Sequence, residues 1–156
     1  MARLDRVHHV GLPVTSLERS VPWYVNVLGI LDTGIRSGGS GEGHEKALQV
    51  KKGSSLTAAF LRVGEHMVLE LLEYQDADSR PFELRNSDIG ALHVGFQVDD
   101  IWQSYEALVE AGVQFNTEPV LLDEAAGPLA GYGFVYFRDP DGIQLELLQV
   151  PSGKPY

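Results

Sequence analysis

Apolar runs alternate with short polar stretches along this chain, and their order predicts a strand, a helix and a hairpin in the first half. Residues 7–14 are rich in β-branched and apolar side chains, which is typical of a strand. A helix capped by Ser16 and ended by Gly29 should follow, because apolar residues recur there at helical spacing, at Val21, Tyr24, Val25 and Leu28. Pro22 would fit only near the first turn of that helix. Two more apolar runs, at residues 60–62 and 67–74, are separated by a short turn at residues 63–66, and this pattern predicts a hairpin.

The second half repeats this order. A strand is predicted at residues 93–98, and Asp99 or Asp100 can cap a helix that Gly112 ends. The sequence DPDG at residues 139–142 is a strong turn signal between two further apolar runs. Each half is therefore predicted to contain a strand, a helix and two or three more strands.

Two short motifs show that the resemblance between the halves extends to individual residues. HVGLPV at residues 9–14 reappears as HVGFQV at residues 93–98, a shift of 93 − 9 = 84. LELL at residues 69–72 reappears at residues 145–148, a shift of 145 − 69 = 76. Such self-similarity indicates a duplication. We expect one domain over residues 1–156, made of modules at about 5–75 and 89–150, because either half alone is small for an independent core.

Two stretches are predicted to be irregular. Residues 37–43 read SGGSGEG, which favours a mobile flap or a surface loop. Residues 75–88 are polar and are expected to link the two modules.

Composition restricts the possible functions. The net charge of −10 disfavours binding to nucleic acid. The absence of cysteine excludes disulfides, thiolate metal ligands and a cysteine nucleophile. We find no secretory signal and no apolar run of the ~18–20 residues that a membrane helix needs, so a soluble cytoplasmic protein is expected.

Four polar residues occupy matching places in the two repeats: His9 and His93 in the first strand of each half, and Glu70 and Glu146 in the last. A carboxylate in an apolar strand is costly unless it is paired or bound to a metal. Two histidines and two glutamates can together bind one divalent cation and leave positions for substrate oxygens. The alternative for each residue is ordinary: a structural histidine, or a glutamate that simply faces water.

These residues resemble the vicinal-oxygen-chelate superfamily, which includes glyoxalase I, methylmalonyl-CoA epimerase, extradiol dioxygenases, fosfomycin-resistance enzymes and bleomycin-binding proteins. The resemblance runs from about Arg6 to Gln149 and is most specific at YFRDPDGIQLE, residues 136–146. It implies an α+β fold in which two tandem βαβββ modules form a curved eight-stranded sheet around a metal cleft. It also implies a homodimer, and metal ligands at His9, Glu70, His93 and Glu146. His8 fits less well, since strand alternation would turn it away from His9, and His44 and His66 fall in a predicted loop and turn.

Within that family, the carboxylate at position 70 implies a metal-dependent lyase or isomerase of the glyoxalase or epimerase type. Glu70 and Glu146 would remove a proton beside a metal-chelated carbonyl, in a small carbonyl compound or an acyl thioester. The ion would be Ni, Co, Zn, Mn or Fe(II). Dioxygenases and fosfomycin-resistance enzymes lack a ligand at the Glu70 place.

Two alternatives remain, an Fe(II) or Mn(II) dioxygenase and a non-catalytic protein that binds aromatic drugs. Stacking residues for such a drug would be Trp23, Trp102, Tyr132 and Phe134. Pro13 and Tyr74 stand where bacterial glyoxalase I has arginine and asparagine for glutathione. Ser54 and Ser55 replace an acidic pair of the epimerases. The resemblance therefore leaves the substrate open.

Overall fold

A computed structural model describes residues 4–75, 78–81 and 84–154. The chain divides into two compact units, Met1–Arg80 and Pro81–Tyr156. Each unit has its own sheet and its own helices, and the division falls in the stretch that the sequence predicts to be a linker. The prediction that both modules make a single domain stays a prediction.

The first unit contains one four-stranded sheet with strand order β1-β4-β3-β2. Strands β1 and β4 are parallel, and the other neighbours are antiparallel. The elements in chain order are β1 His9–Val14, α1 Leu17–Asn26, β2 Leu31–Ser40, α2 Glu42–Leu48, β3 Ser55–Val63 and β4 Met67–Gln75.

The second unit repeats this topology with strand order β5-β8-β7-β6. Its elements are β5 Val94–Val98, α3 Ile101–Glu110, β6 Val120–Leu121, a 3-10 helix at Glu124–Leu129, β7 Gly133–Arg138 and β8 Gln144–Gln149. The predicted α+β class and the strand–helix–three-strand order of each half are confirmed. In the part of the chain that the structure describes, eight strands lie in two sheets of four.

Helices α1 and α3 each begin against the strand that carries the candidate glutamate of their unit. Ser16 caps α1 and Asp100 caps α3, their side chains accepting hydrogen bonds from backbone N–H groups in the first turn. In addition, the Leu17 N–H donates to Glu73 Oε2 over 2.7 Å, and the Ile101 N–H donates to Gln149 Oε1 over 2.8 Å. Glu73 and Gln149 both lie three residues after the glutamate of their strand, since 73 − 70 = 149 − 146 = 3. These bonds fix the last strand of each unit against its helix.

Alternation along the last strands separates a core face from a polar face. Leu69 and Leu71 on β4 are fully buried, and Leu145 and Leu147 on β8 are buried to 3% exposure or less. Because neighbouring strand residues point to opposite faces, the glutamate between each pair of leucines faces away from that core. Burying leucine in this way stabilises each unit by about 1.5–3 kcal/mol per side chain.

The structure corrects three details of the sequence reading. Residues 37–40 of the glycine-rich stretch belong to β2 and pair with residues 55–58 of β3. The prediction of a loop was therefore wrong for these four residues. The backbone ladder stabilises this segment despite its glycines, and His44 fills the space that a side chain at Gly39 would need. His44 lies in α2 and not in a loop, and Pro22 lies inside α1 beyond its first turn.

The predicted linker, residues 75–88, starts with the last residue of β4. Its described remainder has only turns and irregular backbone, while residues 76–77 and 82–83 lie outside the described part of the chain. Across the described ranges, no helix has both the length and the apolar character needed to cross a membrane.

Candidate metal centre

The first unit brings His9 and Glu70 together. In the parallel pairing of β1 with β4, Gly11 lies opposite Glu70, so both residues share one face of the sheet. His9 is two residues before Gly11 and therefore points to the same face. The result is a contact of 3.3 Å between His9 Nε2 and Glu70 Oε2. The histidine side chain is 45% exposed and the glutamate side chain 19%.

The second unit brings His93 and Glu146 together by the same register. Gly95 lies opposite Glu146 in the pairing of β5 with β8, and His93 stands just before β5. His93 Nε2 and Glu146 Oε2 are also 3.3 Å apart, with side-chain exposures of 42% and 12%. The duplication thus produces two histidine–carboxylate pairs with the same atoms facing each other at the same distance.

The spacing within each pair fits two ligands of one divalent ion. Donor atoms about 2.0–2.2 Å from an ion, and separated by about 90–109° around it, lie roughly 3.0–3.5 Å from each other. The observed 3.3 Å falls in this range in both units. Nitrogen and carboxylate oxygen form a donor set that the first-row divalent metals accept. Among the described residues, no group of three or more histidine, aspartate or glutamate side chains is placed to hold a metal ion, so the observed ligand candidates are pairs.

Tyr136 contacts both members of the second pair. It lies directly opposite Glu146 in the pairing of β7 with β8. Its ring meets the His93 ring edge to face, with 5.3 Å between centroids. Burial, followed by the hydrogen bond and the negative charge of Glu146, raises the pKa of Tyr136 to about 12. With its pKa raised, the Tyr136 hydroxyl is protonated at neutral pH and is a hydrogen-bond donor toward the carboxylate.

His8 has a comparable position beside the first pair. His8 Nδ1 and His9 Nδ1 are 2.9 Å apart, although alternation would send the two side chains to opposite faces. Alternation does not apply here because β1 begins at His9, which leaves His8 outside the strand. A histidine that binds a metal through Nε2 carries a proton on Nδ1, and a partner for that proton fixes the tautomer. His8 is placed to be that partner.

The sequence analysis did not identify Tyr136 as a neighbour of the candidate site, although its spacing from Glu146 indicates that position. Tyr136 precedes Glu146 by ten residues, and Phe60 precedes Glu70 by the same interval, since 146 − 136 = 70 − 60 = 10. In a hairpin the turn sets the register, so both residues were predictable as the cross-strand neighbours of the glutamates. The observed pairs are Tyr136 with Glu146 and Phe60 with Glu70.

The aromatic residues considered for drug stacking are distributed differently. Tyr132 is buried in its unit, and Trp102 is 40% exposed on α3. Phe134 is two residues before Tyr136 on β7, and their ring centroids are 5.9 Å apart. Phe134 therefore extends the face that carries His93 and Glu146. Trp23 lies on α1, edge to face with Tyr24.

Comparison with known proteins establishes the family. The sequence model of the Glyoxalase/Bleomycin resistance protein/Dioxygenase superfamily matches residues 6–147. This chain belongs to that superfamily, which is the vicinal-oxygen-chelate superfamily that its motifs resemble.

Relatives of this chain include proteins with enzyme names. A 2-epi-5-epi-valiolone epimerase of an Actinomyces species is 35% identical over 152 residues, covering 96% of this chain and 82% of the relative. A lactoylglutathione lyase of Neisseria meningitidis is 30% identical over 153 residues, covering 95% and 93%. Among solved structures, a glyoxalase family protein from Bacillus cereus matches with a TM-score of 0.72 at 21% identity, covering 95% of each chain. The structural match supports the fold.

Proposed function

We propose that this protein is a divalent-metal-dependent isomerase or lyase that removes a proton from the carbon beside a carbonyl group. The observation that carries the proposal is the duplicated histidine–carboxylate pair, with 3.3 Å between the donor atoms in both units. The names of the relatives, an epimerase and lactoylglutathione lyases, support the same class of reaction.

We infer one ion, bound by His9, Glu70, His93 and Glu146. When bound, a divalent ion of this kind acts as a Lewis acid that polarises a carbonyl oxygen and makes the neighbouring C–H more acidic. Ni, Co, Zn, Mn and Fe(II) are all compatible with two imidazoles and two carboxylates.

The two glutamates are the proposed acid–base groups. Each side chain is partly accessible, at 19% for Glu70 and 12% for Glu146, and each lies on a sheet face that is not filled by the leucine core. One carboxylate accepts the C–H proton while the bonding electron pair moves toward the carbonyl oxygen. Return of a proton to the opposite face of that carbon gives the epimer, and its return to a neighbouring atom gives an isomer.

We favour epimerisation of a small oxygenated carbonyl compound over chemistry on a glutathione thioester. The epimerase is 35% identical to this chain, against 30% for the lyase. Pro13 and Tyr74 also replace the arginine and asparagine at the places that resemble the glutathione contacts of glyoxalase I. A suitable panel contains 2-epi-5-epi-valiolone, lactoylglutathione and an α-branched acyl thioester.

The test combines metal content with proton exchange. Protein purified without chelators is expected to retain close to one divalent ion per chain and to exchange deuterium from heavy water into at least one compound of the panel. Simultaneous replacement of the four ligands by alanine should abolish both. His44→Ala and His66→Ala are matched controls, because they remove histidines outside the two pairs and should change neither. Unaltered metal content in the quadruple variant would refute the site.

Oxygen uptake with catechols, without proton exchange, would instead indicate the dioxygenase alternative. Tight binding of an aromatic drug by protein that retains no metal would indicate the binding-protein alternative.

We also propose a cytoplasmic homodimer, the assembly that the family resemblance implies. Sedimentation of the purified protein at several concentrations measures this, and a mass of one chain throughout would contradict it. Cell fractionation tests the compartment.

A further inference from the structure

The two candidate histidines differ in how the backbone around them is held. His9 is the first residue of β1 and pairs with Val68 in the parallel ladder with β4. His93 stands one residue before β5, and the ladder between β5 and β8 begins only at Val94. The sheet therefore includes His9 itself, whereas it holds His93 only through the residue that follows. The placement of the His93 ring thus depends also on the residues that precede it.

The segment before His93 is anchored at the carbonyl group of Leu84. Gln144 Nε2 donates a hydrogen bond to this oxygen over 2.8 Å, and Arg138 Nη2 donates to it over 3.1 Å. Arg138 Nη1 also donates to the Gly142 carbonyl over 3.0 Å, which fixes the guanidinium against the hairpin turn. Gln144 is only 6% exposed, so its amide bond to the carbonyl is shielded from water.

Residues 84–92 form a loop whose two ends lie side by side on β8. The loop starts where Leu84 is bonded to Gln144, and it leads into Val94, which pairs with Leu145, the next residue of β8. Compact surface loops whose ends lie close together are known as Ω-loops. Closing a loop at both ends removes many of the conformations that a free segment has. The residue that follows the loop is therefore restricted as well.

Hydrogen bonds inside the loop keep it compact. The Arg85 N–H donates to Asp88 Oδ2 over 2.9 Å, and Arg85 Nη2 donates to Asp88 Oδ1 over 2.6 Å. The Asp88 N–H donates to the Arg85 carbonyl over 3.0 Å, and the Ala91 N–H donates to the Asp88 carbonyl over 3.0 Å. Two consecutive turns thus carry the chain from Leu84 to a point two residues before His93. An anchor at Leu84 is therefore felt at the histidine.

The first unit has a different side chain at the place of the glutamine anchor. Gln144 stands two residues before Glu146, and Val68 stands two residues before Glu70. Valine has no side-chain hydrogen-bond donor. The glutamine donor is thus present in the unit whose histidine lies outside the ladder, and is missing from the place next to His9, which the ladder includes.

We propose that Gln144 and Arg138 are positioning residues for the metal ligand His93. They hold the Leu84 carbonyl, which closes the loop at residues 84–92 and limits the movement of the imidazole. A ligand that is ordered before the metal binds loses less freedom on binding, so the affinity for the metal is higher. This inference rests on the proposed metal site, which gives His93 its role. The anchor itself consists of hydrogen bonds within the second unit.

The experiment removes the two donors one at a time. Gln144→Met removes the amide with little change in side-chain length, and Arg138→Met removes the guanidinium. Gln103→Met, at an exposed position of α3, is the control for the first variant. Arg62→Met is the control for the second, because Arg62 lies opposite Val68 as Arg138 lies opposite Gln144, and the charge change is the same. Circular dichroism and thermal unfolding verify folding, and either donor variant decides the test if the other does not fold.

Hydrogen–deuterium exchange of metal-free protein, followed by mass spectrometry, measures the closure of the loop. Both donor variants should exchange the amide hydrogens of residues 84–92 faster than wild type, because loss of the anchor allows the turns to open. The two control variants should match wild type in this segment.

Titration with Co²⁺ against a competing chelator measures the effect on the metal ligand, and the absorption spectrum of Co²⁺ reports its coordination. Each donor variant is expected to bind Co²⁺ about tenfold more weakly, at the low end of the range that outer partners of ligands contribute. This loss should disappear in a His93→Ala background and persist in a His9→Ala background, because the anchor acts through His93. A general loosening of the fold would lower the affinity in both backgrounds.

The outcomes separate this inference from the proposed function. Unchanged Co²⁺ affinity in the folded donor variants, an equal loss in the two histidine backgrounds, or unchanged hydrogen exchange in the loop would each overturn the inference. If wild type binds Co²⁺ but exchanges deuterium into no compound of the panel, the proposed reaction fails, and the affinities still decide the role of Gln144 and Arg138. If wild type binds no Co²⁺, the metal site and this inference are refuted together.

Discussion

The histidine–carboxylate pair of the first unit has His8 beside its histidine and Phe60 opposite its carboxylate, whereas the pair of the second unit has Tyr136 against both members. The distance within each pair is nevertheless the same, 3.3 Å. The two units have therefore kept the same donor atoms, histidine Nε2 and glutamate Oε2, and the same strand register that places them on one face. The neighbours of the donors, by contrast, differ between the two units.

The largest expected effect comes from removing the carboxylates one at a time. We expect Glu146→Ala to weaken metal binding by more than about 100-fold, because a direct ligand should matter more than the outer partners that contribute about 10–100-fold. Glu70→Ala should weaken metal binding by a similar factor, because Glu70 is proposed as a direct ligand too. Metal titration and deuterium exchange on the same preparations measure both effects. A loss below about tenfold in either variant would contradict the proposal that each unit contributes a carboxylate ligand.

The next effect tests whether the cores of the two units are as alike as their strands suggest. Leu69→Ala and Leu145→Ala each remove a fully buried side chain next to the candidate glutamate. We expect each to lower the free energy of unfolding by about 2–5 kcal/mol. Denaturation in urea, with the exposed Val109→Ala on α3 as a control, measures this. A cost below about 1 kcal/mol for either leucine would contradict the equivalence of the two cores.

A smaller effect is expected at the two glycines of the repeated HVG motif. Gly95→Ala places a methyl group against Glu146 Oε2 and should weaken metal binding about tenfold by displacing that carboxylate. Gly11→Ala contacts Leu72 instead and should leave metal binding within about twofold, because no ligand atom moves. Titration with Co²⁺ distinguishes them, and the reverse order of effects would show that the Glu146 carboxylate does not need the bare backbone.

The smallest expected effect on stability is at the edge strands, which differ between the units: β2 has ten residues and β6 has two. At an irregularity of β2, Arg36 bonds to both carboxylate oxygens of Asp32. The Arg36 hydrogen bond, followed by that of the Gly34 N–H, lowers the pKa of Asp32 to about 2. A lowered pKa means that Asp32 stabilises the fold above pH 4 and loses that contribution as the pH falls through about 2.

Asp32→Asn should therefore cost less than about 1 kcal/mol at pH 7, because the pair is partly exposed and screened. The cost should be much smaller at pH 2, where about half of Asp32 is protonated. Urea denaturation at both pH values measures this, and a cost that does not depend on pH would exclude the ion pair as its origin.

Much of the fold was predictable because the relevant forces are local in sequence. The caps at Ser16 and Asp100, the turn at residues 139–142 and the alternation around Glu70 and Glu146 follow from neighbouring residues alone. The glycine-rich edge of β2 was not predictable in this way. Its ladder with β3 stabilises residues whose own preference is for irregular structure, and that ladder exists only in the folded sheet.

The repeats in the sequence identify His9, His93, Glu70 and Glu146 as candidates for the site without any structure. The surroundings of these residues emerge only from the folded chain. The position of Tyr136 opposite Glu146, the contact between His8 and His9, and the bare backbone at Gly95 all depend on strand register and side-chain direction. Residue types are known from the sequence, but contacts between residues far apart in the chain form only when the chain folds.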